Sequence, residues 1–155
     1  MKKAMLLVAV FGLVAAQSCR STNDEVQPRS YDALALSTGH WEWEKTSYQA
    51  GNRTPTTEGF TRQLVFNADG QVTIQHNSKL NKTTDYQLSM GNLPKCGAPQ
   101  VTVPIINFET DSDVPNNDRK TYRITKTPDG QQLSLVGEAA CLDGGAYEFY
   151  HWVAE

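Results

Sequence analysis

From Gly39 onward, apolar and polar positions alternate, and the three-to-four-residue spacing of helices is absent. That period of two belongs to extended strands with one buried face. Trp41 and Trp43 share one face of a first strand, with Glu42 and Glu44 on the other. Phe60, Arg62, Leu64 and Phe66 form the next in-phase set, followed by Val72, Ile74 and His76. Between them, Asn67-Ala68-Asp69-Gly70 links Phe66 to Val72 by a short polar connection containing Asp-Gly, which predicts a hairpin. Tyr86, Leu88 and Met90 mark a fourth strand, and Val101, Val103 and Ile105 a fifth. Ile106 and Phe108 then fall out of phase, which predicts a bulge. Pro104 requires an edge or bulge position, because it has no N–H to give to a ladder. Tyr122 and Ile124 lie on a sixth strand, Leu133 and Leu135 on a seventh, and Tyr147, Phe149 and His151 on an eighth. Pro128-Asp129-Gly130 turns the chain between the sixth and seventh, with Pro presetting φ and Gly taking a positive one.

Short strands joined in order over residues 39–153 predict an all-β domain. Its two closures are an eight-stranded antiparallel up-and-down barrel and a β-sandwich. Sequential hairpins favour the barrel, which at this strand number encloses one small ligand or fills with side chains.

The N-terminal part follows another pattern. Met1-Lys2-Lys3 precedes an apolar run from Ala4 to Ala16, the arrangement of a secretory signal. The run falls short of the roughly 20 apolar residues that a membrane-crossing helix needs. It ends in Ala16-Gln17-Ser18-Cys19, which resembles the lipobox of bacterial lipoproteins, with Ala16 where that family usually has Leu. The resemblance implies cleavage before Cys19 and attachment of a diacylglyceryl group to its sulfur. The alternative is ordinary cleavage nearby, which leaves Cys19 free. Residues 19–36 open with the polar Arg20-Ser21-Thr22-Asn23-Asp24-Glu25 and carry Pro28, and read as a flexible tether. Asp24 and Glu25 resemble the acidic signal that sends some Bacteroidetes lipoproteins to the cell surface, although a solvated spacer reads equally well. The expected organisation is a signal peptide over 1–18, a tether over 19–36 and a barrel domain over 37–155. The expected location is the bacterial outer membrane, lipid-anchored and facing the periplasm or the cell surface.

Three cysteines, Cys19, Cys96 and Cys141, leave an odd thiol in an exported chain. Lipidation of Cys19 accounts for it, and an oxidising compartment would let Cys96 and Cys141 pair. Such a bond would stabilise the fold by about 4 kcal/mol in the chain-entropy model. Two buried free thiols are the alternative. A zinc site is disfavoured, since no Cys-x-x-Cys or His-x-x-x-His is present.

Gly39-His40-Trp41 opens the first strand and resembles the Gly-x-Trp motif that begins the lipocalin barrel. The region 39–155 resembles the lipocalin-like domains of small Bacteroidetes lipoproteins, which belong among the calycin-like β-barrels. The shared features are the early Trp, the strand ending Phe66-Asn67-Ala68-Asp69-Gly70, and Cys141 ahead of an aromatic last strand. In lipocalins a basic residue of the last strand packs on the Trp, and His151 is the basic residue this strand offers.

Composition narrows the chemistry. The net charge is −3 and the charges are dispersed, so nucleic acid is not an expected partner. The in-phase faces, pointed inward, would place Trp41, Trp43, Arg62, His76, Tyr86, Tyr122, Tyr147 and His151 among apolar residues. A mostly apolar cavity with a few convergent polar groups is the usual form of a small-molecule site. Arg62 could pair with a ligand carboxylate, whose geometry its fork matches. Each of these groups could instead snorkel or satisfy a neighbour. Asp111-Ser112-Asp113-Val114-Pro115-Asn116-Asn117-Asp118 resembles the first half of a calcium loop, but Pro115, Asn116 and Tyr122 stand where ligands and the turn Gly belong, so it reads as a solvated loop.

No nucleophile elbow, His-Glu-x-x-His or phosphate loop occurs, and no catalytic residue, cofactor or metal is expected. The expected function is therefore that of a monomeric, membrane-anchored lipoprotein whose lipocalin-like domain binds a small apolar or amphipathic ligand. The alternative is a filled structural barrel acting through an unknown protein partner, with loops such as 91–99 and 111–118 as its contact surfaces.

Overall fold

The computed structural model describes residues 34–35, 38–92, 101–109, 118–138, 140 and 145–155. The strands are β1 (Gly39–Tyr48), β2 (Gly51–Arg53), β3 (Arg62–Phe66), β4 (Gln71–His76), β5 (Lys79–Asn92), β6 (Thr102–Phe108), β7 (Asp118–Thr127), β8 (Gly130–Gly137) and β9 (Tyr147–Ala154). One four-residue helix, α1 (Pro55–Glu58), lies between β2 and β3.

From β3 to β9 each strand pairs antiparallel with the next in the chain, and β1 pairs with both β3 and β9. The β1–β9 ladder runs from Gly39↔Ala154 to Ser47↔Tyr147, so the sheet closes on itself. This is the up-and-down barrel of eight strands, with β2 attached outside the ring as a hairpin partner of β1. The sandwich is excluded by that closure. Closing the sheet also removes most of the free edge that an open sheet would present.

The predicted turns form as their chemistry requires. Phe66 faces Val72 across the first hairpin, whose Gly70 adopts φ 90°. At the second, Thr127 pairs with Gly130, which adopts φ 131°. A further two-residue turn at Asn77-Ser78, with φ 51° and 60°, joins β4 to β5. The sequence reading missed it because Ser is an unusual residue for that conformation.

β6 corrects the reading of its phase. Its ladder with β5 is continuous from Tyr86↔Phe108 to Asn92↔Thr102, so no bulge separates Ile105 from Ile106. Instead Ile106 and Phe108 join the main core while Ile105 is buried on the other face. The strand is apolar on both sides, which mimics a phase break. Pro104 lies past the end of the β6–β7 ladder, which starts at Ile105, and so takes the edge position its missing N–H demands. The bulges fall elsewhere, at Glu44 on β1, between Trp43 and Lys45, and at Asn81 on β5, opposite Ile74 and Gln75.

β2 and α1 were not anticipated. The helix nonetheless carries its signals in the sequence. Thr54 caps it through its side chain and Thr57 returns the bond, Pro55 stands at its start, and Gly59 ends it with φ 75°.

The barrel interior is filled at the end where β1 begins. Trp41, Phe66, Val72, Tyr86, Ile106, Tyr122 and Leu133 are buried there together with Leu34. The Trp41 indole donates to the Leu34 carbonyl at 2.9 Å, which draws the segment before β1 across this end. The packed structure thus includes Leu34 and Ala35, ahead of the boundary at 37 read from the sequence.

Gly39 sits at the seam with φ +138°. A Cβ there would come within 2.2 Å of the Val153 carbonyl oxygen, a backbone atom that cannot yield without opening the ladder. Gly39→Ala is therefore expected to lower stability by at least about 1–3 kcal/mol from backbone strain. The check is the urea midpoint, and a shift of less than a few tenths of a molar would contradict this account of the seam.

Candidate functional site

The opposite half of the barrel is hollow. A cavity of about 260 Å³ lies between the ends of β3 and β4, the first half of β5, and the adjoining ends of β6 to β9. Leu64, Ile74, Phe108 and Leu135 give it apolar walls. Arg62, Lys120, Glu148 and Tyr150 project into the same space, with His76 on one side.

Each of these comes from a strand position that the ladders fix. Leu64 pairs with Ile74 and Arg62 with His76 across β3–β4, and opposed residues share a face. Leu135 pairs with Glu148, and Leu133 with Tyr150, across β8–β9. Since Leu133 and Leu135 are inward, so are Glu148 and Tyr150.

The polar groups form one connected cluster. Arg62 Nη2 donates to Glu148 Oε2 at 2.7 Å, and the Tyr150 hydroxyl donates to the same oxygen at 2.6 Å. Lys120 Nζ donates to Glu148 Oε1 at 2.5 Å and lies 3.0 Å from Asp118 at the rim. The Arg62 guanidinium lies 4.8 Å from the Trp43 ring and 5.4 Å from the Tyr150 ring. Lys120 lies 5.6 Å from the Phe108 ring. Trp43 is itself held by donating to Thr46 Oγ1 at 2.9 Å, and stacks on Phe60, which stacks on His76 at 4.5 Å between centroids. These contacts hold Arg62 and Lys120 in place.

Burial pushes the Glu148 carboxyl up, but the charges of Lys120 and Arg62, with hydrogen bonds from Lys120 and Tyr150, more than reverse this and hold it below its ordinary value. Burial likewise pulls the Lys120 ammonium down, and Glu148 and Asp118 outweigh it and raise it. The Tyr150 hydroxyl is pushed well above its ordinary value, by burial first and then by the neighbouring Glu148 charge. With Asp118 at its rim, the cluster thus holds two cations, two carboxylates and one neutral phenol. Lys82 and Glu109, also on the wall, carry opposite charges. The Arg62 Nε–H, buried, has no hydrogen-bond partner among the described residues.

The residues named from the sequence divide into three groups. Arg62 and His76 line the cavity, and Trp43 backs Arg62. Trp41, Tyr86 and Tyr122 are buried in the filled half and do not line it. Tyr86 there donates from its hydroxyl to the Asn67 carbonyl at 3.1 Å. Tyr147 and His151 are a correction, together with Phe149. The inward set of β9 is Glu148, Tyr150 and Trp152, and the odd positions face outward. His151 lies 3.4 Å from Glu44 on the outer surface, and Phe149 is covered by Lys45 at 5.1 Å. The ring that packs on Trp41 is Trp152, edge-on at 5.2 Å, and no basic residue takes that place.

Lys120, Glu148 and Tyr150 were missed: Lys120 shares its phase with the inward Tyr122, whereas Glu148 and Tyr150 stand on the face of β9 that the sequence pattern turned outward. Cys19, Cys96 and Cys141 lie outside the described residues, as do 93–99 and 111–117 of the two loops named as partner surfaces. Among the described residues no three His, Cys, Asp or Glu side chains converge as a metal site would need. Nor does any helix among them have the length and apolar character to cross a membrane.

Comparison with protein-family models, with curated proteins and with solved structures finds no match.

Proposed function

We propose that this barrel is a binding module that takes up a small amphipathic molecule in its hollow half, on an exported chain anchored by lipid at Cys19 to a bacterial outer membrane. The observation that carries the reading is the cavity itself. Its apolar walls converge on a fixed polar cluster, which is how small-molecule sites are generally built. Its volume of about 260 Å³ lies just under the range of roughly 300–1,000 Å³ usual for such sites. That size suits a short chain with one head group and leaves no room for a large cofactor. The fixed charges add to the case. Two cations and the carboxylate between them are costly to bury, and a barrel closed only for stability would do as well with apolar residues there. The sequence features supporting the anchor are the apolar run and the Cys at the end of it.

The test is native mass spectrometry of protein produced from the full-length sequence, before and after incubation with medium-chain lipids. The expected result is a reproducible added mass, released on denaturation and lost in Leu135→Trp, which fills the cavity. A bare protein mass under every condition would overturn the reading in favour of a filled barrel acting through a protein partner.

A further inference from the structure

The charges on the cavity wall balance. Arg62, Lys82 and Lys120 stand with Glu109, Asp118 and Glu148, three cations with three carboxylates. The innermost of them are committed to one another. Glu148 receives Arg62 and Tyr150 on one oxygen and Lys120 on the other. Lys120 also lies 3.0 Å from the Asp118 carboxylate. An ammonium carries three N–H donors, and these two carboxylates occupy two of them. The third remains, on a side chain held at the wall over the Phe108 ring.

We infer, on the reading of the hollow half as a ligand site, that the ligand is uncharged: a head-group oxygen accepts from the third N–H of Lys120, and a short alkyl chain lies along Leu64, Ile74, Phe108 and Leu135. Charge balance selects the neutral head. A carboxylate head would be the third around one ammonium, and would set a net negative charge beside Glu148 and Asp118. An ammonium head would be a fourth cation on the wall, where both oxygens of Glu148 already have donors. Either ion would place a charge without a counterpart behind apolar walls, which costs more than one hydrogen bond returns. A hydroxyl, ketone or amide oxygen adds no charge and matches the remaining donor. An alkane would leave that donor unmatched.

The experiment is calorimetric titration of protein produced from the full-length sequence, at pH 8 and low salt, with octanol, octanoate and octylammonium. The chain is held constant and only the head changes. Octanol is expected to bind at least about tenfold tighter than either ion, the size of one unmatched charge. Octanol is also the least soluble in water of the three, so the variants separate charge balance from solubility. In Asp118→Asn the wall gains one net positive charge, and the ratio of octanoate to octanol affinity should rise about threefold, as one screened charge supplies. In Lys120→Met the donor is gone, and octanol should lose about tenfold. Asp118 stands at the exposed rim, so its variant carries the test even where Lys120→Met does not fold.

A wild-type preference of less than tenfold over either ion, or an unchanged ratio in Asp118→Asn, would overturn the uncharged head and leave the binding module standing. Undiminished octanol binding in a folded Lys120→Met would overturn Lys120 as the partner of the head. Binding of none of the three, with a bare mass in the native spectrum, would overturn the binding module as well.

Discussion

Replacing Trp41 with alanine is expected to lower the unfolding free energy by about 3–5 kcal/mol, the usual loss when a fully buried large aromatic is truncated. Trp41 has no exposed surface, and it ties two other parts of the filled half to the first strand. Its ring meets Trp152 edge-on at 5.2 Å and 68°, which ties the first strand to the last at the seam. Its N–H donates to the Leu34 carbonyl at 2.9 Å, which ties down the entering chain. Alanine would open a cavity and also leave that buried carbonyl without its donor, a further cost of about 1–3 kcal/mol. Small domains are stable by only about 5–15 kcal/mol, so this one change removes a large share. Trp41→Phe separates the contributions, since it keeps most of the apolar area and deletes the N–H. Its loss should be the smaller one. Urea denaturation followed by far-ultraviolet circular dichroism is the check. A loss under about 1 kcal/mol for Trp41→Ala would mean that the filled half does not hold the barrel together.

How much of this was legible in the sequence follows from which forces are local. Alternation and turn chemistry act over a few residues, so the eight barrel strands and the Phe66–Val72 and Thr127–Gly130 hairpins could be read directly. Strands apolar on both faces could not be phased that way. In β6, Ile105 and Ile106 are both buried, and in β9 Tyr147 and Phe149 compete with Tyr150 and Trp152 for the inward face. On β9 the cost of burying a charge disfavours turning Glu148 inward. What reverses that cost is long-range. Its partners Arg62 and Lys120 lie 86 and 28 residues away in the chain, and only barrel closure brings them together. One sequence signal could have settled the phase. If the first and last strands pair, the inward Trp41 selects the aromatic opposite it, and Trp152 is the residue found there. That choice carries Tyr150 and Glu148 inward with it. The candidate site was thus half visible: Arg62 and His76 could be named, while the groups that fix their charge balance could not.

Glu148→Gln is the substitution with the next largest expected effect, about 3–5 kcal/mol at neutral pH, because it keeps the shape and removes a buried carboxylate held between two cations. The loss should depend on pH in a defined direction. Glu148 is held below its ordinary value of 4.5 in the folded protein, so it binds fewer protons there than in the unfolded chain at moderately acid pH. Its contribution is therefore fully present above about pH 5 and is lost as pH falls through the lowered folded value. Lys120 is raised above its ordinary 10.5, so its contribution is present below that value and is lost as pH rises through the raised one. Between these limits the gap between wild type and Glu148→Gln should be flat, and in acid it should close as the wild type falls toward the variant. Urea midpoints of both proteins at pH 7, 5, 4 and 3 would show it, and an unchanged gap at pH 3 would rule out charge as its source. A triple variant, Arg62→Met with Lys120→Met and Glu148→Leu, then separates stability from binding. Replacing a whole buried ion cluster with apolar residues is often neutral or stabilising, whereas breaking it is not. The triple variant should therefore regain most of the stability that Glu148→Gln loses, yet lose the added lipid mass expected of the wild type in the native spectrum. Such a result would locate the reason for the cluster in the ligand's head group, since the barrel would have been shown to close without it.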